Sequence, residues 1–336
     1  MWLGVILMVD MKHRVIDGIT RLTRNEDRFI SGLRQVARVG KFVAPTYGHR
    51  RQLRMLETAI EEQHPAIELI RRLLADCNEN FVRRVASLFV DHSWSGYPRR
   101  QELEESVGVG VPSFIVISPL AACNLNCTGC YAGAYGDGEP HLCAADIERL
   151  VNEVRSWGSR FITLSGGEPT LFWESIPGDD KGLRDICREN DDMMFLMYTN
   201  GTLIDHQMAA EMAELGNLSP AISLEGFREQ TDARRGDGTF QRVMQAMARL
   251  RENKVLFGTS VTYTSQNWEE VTSDEFLDLL IDSGCLYAWY FMYIPVGRDP
   301  DLSLTATPEQ RRRVAETTWR WLTNERWKPD SWGELP

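Results

Sequence analysis

The chain has 336 residues and a formal charge of −11, with 25% charged and 43% hydrophobic residues. This composition excludes a disordered or collagen-like chain and leaves room for one large domain or two. The acidic balance argues against a protein that coats nucleic acid, so no nucleic-acid partner is expected. Seven cysteines in a chain this long do not make a disulfide scaffold.

The opening residues, MWLGVILM, are apolar but too short to span a bilayer, and they lack the basic flank and cleavage site of a signal peptide. They read as a short hydrophobic arm or as the product of an early start codon. No later stretch reaches about 18 uninterrupted apolar residues. A cytoplasmic protein with reduced thiols and no membrane span is the expectation. From residue 12 to about 108 apolar residues recur at three and four, which predicts helices over 16–36, 52–62, 66–77 and 80–90. The run SWSGYPRR, 93–100, reads as a turn-rich break. Region 1–110 is thus expected to be a helical cap or scaffold.

From Val111 short β-rich runs alternate with amphipathic stretches. Strands are expected over 114–118, 161–164, 194–198, 221–224, 258–263 and 288–294. Helices are expected over 145–157, 181–190, 205–215, 239–253 and 273–283. Such alternation predicts a parallel sheet with right-handed crossovers. Six units fit into 113–297, whereas a closed eight-stranded barrel needs about 250 residues. The expected fold class is therefore α/β, a partial (β/α)6 TIM-like barrel over 111–300 behind the helical N-terminal region. Region 301–336 holds a last helix from Thr307 to about Leu322, opened by Thr307-Pro308-Glu309-Gln310 in a capping-box arrangement. The polar tail beyond it shows no further fold signal and reads as a truncated, frameshifted or naturally short end.

Directly after the first expected strand comes Cys123-Asn124-Leu125-Asn126-Cys127-Thr128-Gly129-Cys130. Three thiolates at spacings of four and three can converge on an iron–sulfur cube, whose irons take cysteine ligands. Three ligands for four irons leave one iron open for a substrate or cofactor. The alternative is a structural zinc site completed by Cys143 or His141, in a binding protein without redox chemistry. Four further segments end strands on the same rim, where barrel active sites are built. They are Ser165-Gly166-Gly167-Glu168-Pro169, Thr199-Asn200-Gly201, Ser223-Leu224-Glu225-Gly226 and Ile294-Pro295-Val296-Gly297. Glycines there let backbone approach a ligand, and Glu168 could pair with an ammonium group.

Together, the CxxxCxxC of Cys123, Cys127 and Cys130 and the GGEP of Gly166–Pro169 resemble the radical S-adenosylmethionine (radical SAM) superfamily, over about 113–300. Residues 60–300 further resemble a bacterial subgroup with a helical N-terminal region and no well-established reaction. The resemblance implies a [4Fe-4S] cluster on Cys123, Cys127 and Cys130, with S-adenosylmethionine (SAM) on the open iron. It implies that Gly166, Gly167 and Glu168 bind the methionine ammonium and that Ser223 and Glu225 face the ribose or carboxylate. Ile294 to Gly297 would lie along the adenine, and Asn200 would shape the rim. The family often has an aromatic just before the third cysteine; here Gly129 stands there, and Tyr131 is the candidate to pack on the adenine side instead. The implied activity is reductive cleavage of SAM to a 5′-deoxyadenosyl radical that acts on a peptide, a lipid or isoprenoid, or a small metabolite. An electron donor such as flavodoxin or ferredoxin is implied as partner. An inactive relative that keeps the fold is the other alternative.

No GxSxG, HExxH or P-loop competes with this reading. Cys77, Cys187 and Cys285 read as inert thiols, and Arg234 and Arg235 as loop anchors through ion pairs. The run YAWYFMY, 287–293, fits either a pocket lining or a buried strand.

Overall fold

The computed structural model describes residues 26–43, 47–132 and 141–322. The apolar start, the first part of the helix expected over 16–36 and the tail after Leu322 lie outside the described residues.

Contacts divide the chain into Met1–Asp76 with Pro308–Pro336, and Cys77–Thr307. In the first unit α1 (Glu26–Val43), α2 (Tyr47–Glu61) and α3 (Pro65–Asp76) form amphipathic helices. Their apolar stripes bury Phe29, Leu33, Ile60 and Ile67 together. The C-terminal helix, Pro308–Leu322, carries proline at its first position, where a missing N–H costs nothing.

The second unit begins with α4 (Glu79–Val90), whose N-cap Asn78 accepts from Phe81 N–H at 2.8 Å. A π-helical turn, Asp91–Ser95, leads into α5 (Gly96–Val107). The expected break over 93–100 is therefore helical instead. Pro98 falls in the first turn of α5, where the helix tolerates it. Gly96 is needed for contact rather than for a turn, since a Cβ there would stand 1.8 Å from the Gly158 carbonyl oxygen.

The sheet follows as β1 (Ile115–Ile117), α6 (Ala144–Ser156), β2 (Phe161–Leu164), α7 (Leu183–Glu189), β3 (Met194–Thr199), α8 (His206–Leu215), β4 (Leu218–Leu224), α9 (Arg228–Arg235), α10 (Thr239–Glu252), β5 (Gly258–Tyr263), α11 (Trp268–Val271), α12 (Asp274–Asp282) and β6 (Ala288–Met292). All pairs are parallel, and the spatial order is β1-β2-β3-β4-β5-β6. This is the six-stranded partial barrel expected from the alternation. Right-handed crossovers in sequential order place the helices on one face. There Ile162, Leu164, Phe195, Met197, Ile222, Leu224 and Val261 join the main core. The alternate residues, from Thr163 on β2 to Phe291 on β6, belong to the opposite, concave face.

The boundary between units falls at Cys77 and Thr307 rather than at 110 and 300, because α4 is bonded to the barrel. Asn80 Nδ2 donates to the Glu214 carbonyl at 2.8 Å, and Asn78 Nδ2 reaches Ala213 and Lys254 carbonyls at 3.4 and 3.3 Å. Besides α5, the helices α9 and α11 escaped the pattern reading. Of these, α9 has the sequence REQTDARR and offers no apolar repeat.

Candidate functional site

Parallel strands end on one rim, so the segments singled out in sequence meet there. The loop after β1 carries Cys123, exposed, Cys127, buried, and Cys130, half-buried, all as free thiols. Its backbone is fastened at two points: Thr128 N–H donates to the Arg234 carbonyl at 2.9 Å, and Arg298 N–H to the Cys130 carbonyl at 3.1 Å. Gly129 has φ 63°, and a Cβ there would lie 2.6 Å from the ring of buried Tyr293. An aromatic at position 129 is thus excluded by one already present from the end of β6. Gly297 closes the same clamp, its Cβ position lying 2.3 Å from the Cys130 carbonyl oxygen.

N–H groups point at two of the sulfurs. Cys123 Sγ lies 3.5 Å from Leu125 N and 3.9 Å from Asn200 Nδ2, and Cys127 Sγ lies 3.9 Å from Arg235 Nη1. Burial pushes both thiols above the usual cysteine range, while Arg235 acts in the opposite sense on Cys127. Thiol donors met by N–H groups and a guanidinium suit an anionic, cysteine-ligated cluster. A single zinc ion is served poorly. Among the described residues no three His, Cys, Asp or Glu side chains converge on one ion. His141 Nε2 is 3.0 Å from the Pro177 carbonyl, and Cys143 Sγ donates to Asp146 Oδ2 at 3.3 Å. A cube takes its ligands at separate corners and does not need them to meet at one point.

Gly166 and Gly167 lie against the segment that leads into the cysteines. Cβ atoms there would stand 2.4 Å from the Leu120 oxygen and 2.0 Å from the Ala122 oxygen. The N–H groups of Ser165, Gly167 and Glu168 bond to the carbonyls of Ile117, Leu120 and Ala122, each at 2.9 Å. The two glycines therefore permit chain-to-chain approach first. Glu168 is 1% exposed and ties three segments together. Its Oε1 accepts from Thr170 N–H (3.0 Å), Thr170 Oγ1 (2.6 Å) and Thr199 Oγ1 (2.6 Å), and its Oε2 from Asn200 N–H (2.7 Å). Asn200 in turn donates to Asn124 Oδ1 at 2.8 Å, inside the cysteine loop.

Glu225, expected to face the ribose or carboxylate, is engaged within the protein. Its side chain is buried, and it is paired with Arg234 (2.7 Å) and with Arg235, which closes on both carboxylate oxygens. Burial alone would raise its pKa; the two guanidiniums outweigh that and hold it below the ordinary carboxylate range. Its carboxylate faces these two arginines. Ser223 is half-buried on the concave face, and Ile294 is exposed beside the rim. Tyr131 is exposed, with its hydroxyl 2.8 Å from Ser165 Oγ. Sequence reading placed Asn124, Thr199 and Tyr293 within the segments it quoted but gave them no role of their own, and it gave the arginines no link to the cysteines. The clue was the pair Arg234-Arg235 itself, since adjacent arginines beside a rim glycine need a carboxylate.

Residues 117–279 match the radical SAM superfamily. The chain carries a radical SAM domain, and that family uses a [4Fe-4S] cluster and SAM. It is 31% identical over 211 residues to an Fe-coproporphyrin III synthase of Methanosarcina barkeri, covering 61% of this chain and 51% of that one. It is 26% identical over 154 residues to the sporulation killing factor maturation protein SkfB of Bacillus subtilis, covering 45% and 36%. Among solved structures, Streptococcus suis SuiB bound to its precursor peptide SuiA aligns with a TM-score of 0.56 at 19% identity, over 73% of this chain and 52% of that one. That likeness shows the fold. The chain spans about half the length of the curated relative first named. No helix among the described residues is long and apolar enough to cross a membrane.

Proposed function

We propose that the chain is a radical SAM enzyme whose Cys123, Cys127 and Cys130 hold the cluster. The observation that carries this is the loop of three free thiols, braced at the rim and met by N–H groups of Leu125, Asn200 and Arg235. When bound, the cluster supplies one electron that cleaves SAM to methionine and a 5′-deoxyadenosyl radical, which takes a hydrogen atom from, or adds to, the substrate. The residues of the chain bind, orient and shield. Carbonyls of Gly166 and Gly167 accept no hydrogen bond among the described residues and suit the methionine ammonium. Glu168 holds that turn against Thr199 and Asn200. Arg234 Nε is buried without a partner among the described residues and is the donor for the carboxylate. Ser223 suits the ribose, and Ile294 to Gly297 with Tyr131 suit the adenine.

The substrate reaches the concave face of the sheet. Register puts Thr163, Leu196 and Ser219 in one row there, and Ser223, Ser260 and Trp289 in another. Tyr198 and Phe291 meet edge to face at 5.5 Å. No charged side chain stands in these rows, so the part of the substrate that reacts is uncharged. Relatives act on tetrapyrroles by name, and SuiB binds a peptide; an apolar segment of either class meets this requirement. The electron comes from a flavodoxin or ferredoxin in a reducing cytoplasm.

The test is anaerobic reconstitution with iron and sulfide, reduction by dithionite, addition of SAM and detection of 5′-deoxyadenosine by mass spectrometry. About four irons per chain, with product lost in Cys127→Ala, is the expected result. Zinc retained in place of iron sinks the proposal.

A further inference from the structure

We propose that Arg235 is a positioning residue that sets the reduction potential of the cluster through Cys127, with buried Glu225 as its support. This rests on the radical SAM reading. The helix α9 ends beside the cysteine loop and grips it twice. Its Arg234 carbonyl takes the Thr128 N–H, and Arg235 Nη1 lies 3.9 Å from Cys127 Sγ. A guanidinium is fixed in direction when its other donors are occupied, and Arg235 Nε and Nη2 are both spent on Glu225. The remaining Nη1 is aimed at sulfur. Glu225 is itself immobilised: Asn267 Nδ2 donates to its carbonyl at 2.8 Å, and Thr231 Oγ1 accepts from its N–H at 3.2 Å.

The charges of this group do not cancel. One carboxylate meets two guanidiniums, which leaves one positive charge within reach of one cysteine sulfur. Glu168 is the other carboxylate near the cysteines, and its side chain is engaged by Thr170, Thr199 and Asn200. A reduced cluster carries one more negative charge than an oxidised one. A donor and a positive charge at a ligand sulfur therefore favour the reduced form and raise the potential. A SAM-cleaving cluster must be reducible by its donor yet retain driving force, so this arginine sets how readily it fills.

The test is a potentiometric titration followed by electron paramagnetic resonance on the reconstituted full chain, without SAM. Wild type is compared with Arg235→Gln, Arg235→Lys and the double variant Glu225→Gln/Arg235→Gln. Arg235→Gln takes away the guanidinium that faces sulfur while Arg234 keeps Glu225 paired. The double variant removes one charge of each sign and keeps the net charge of the group, so it isolates the loss of the directed donor. Iron content and SAM binding by equilibrium dialysis are measured on the same samples. The expected result is a full complement of iron in Arg235→Gln. Its reduction equilibrium is about tenfold weaker, which is about 59 mV for a one-electron couple; Arg235→Lys and the double variant, which both keep the net charge, lie between. An unshifted midpoint at full iron content overturns the inference. So does a loss of SAM affinity with the SAM-free midpoint unchanged, which would make Arg235 a SAM ligand. Failure of the wild type to take up a cluster refutes the radical SAM reading instead, and so is told apart from either.

Discussion

Gly129 shows how one residue records a contact made far along the chain. Its left-handed backbone and the Tyr293 ring 2.6 Å from its Cβ position are independent reasons for glycine. Gly129→Ala should therefore cost about 1–3 kcal/mol of stability and lower iron uptake, both read on one preparation by thermal melting and iron analysis. Tyr293→Phe keeps the ring and loses the bond from Asp301 N–H at 3.0 Å. It should cost about 1 kcal/mol and leave iron uptake unchanged. At this scale the meeting of the cysteine loop with the other rim segments was legible, because each directly follows a strand of one parallel sheet. The arginine partners of Glu225 were not. A carboxylate at a strand end looks the same in sequence whether it faces a ligand or two arginines.

Among elements, the strands and the longer amphipathic helices follow from periodicity, because each buries one face against the same core. The region of α9 was read as a loop with anchoring arginines. Its residues are polar apart from Ala233, so its helix is set by what it docks against. The fourth strand, expected over 221–224, runs from Leu218 to Leu224 and takes in Pro220. The strand is held at its start by Asn217, fully buried, whose Nδ2 reaches the carbonyls of Cys187, Asn190 and Met193 at 2.9, 3.1 and 3.0 Å. One amide thus joins the end of α7, the approach to β3 and the entry of β4. Asn217→Ala removes all three bonds, leaving only the Asn190 carbonyl with a donor among the described residues, Met193 N–H at 3.0 Å, and should destabilise the protein by about 2–3 kcal/mol, measured as a shift in the urea midpoint without change in its slope.

For the whole molecule, the π-helical turn between α4 and α5 predicts an acid limit. His92 accepts from Arg160 N–H at 3.1 Å, and burial, aided by Arg100 and Arg160, pulls its pKa down from 6.5 to about 4. Below pH 6.5 the unfolded chain takes up a proton that the folded chain refuses. Stability from this site is therefore complete at neutral pH and declines as pH falls from 6.5 towards 4. Melting temperatures at pH 7, 6 and 5 should fall more steeply for the wild type than for His92→Asn, which keeps an acceptor and does not titrate. The sheet order was legible because sequential βα units have few ways to pack. The division of the chain at Cys77 was not, because it depends on a few polar side chains of α4 that carry no periodic signal.

The brace between Cys127 and Arg235 spans 108 positions. On a ribosome adding about 5–20 residues per second, the cysteines are made some 5–20 s before the arginine that meets them. The segment of Tyr293 and Gly297 follows later still. During that interval the thiols belong to an unfinished barrel, open to oxygen and to stray metals. On the proposed reading the cradle for iron and sulfide is complete only once that segment is made, and the yield of loaded protein from an expressing cell should depend on how well those thiols are guarded in the meantime.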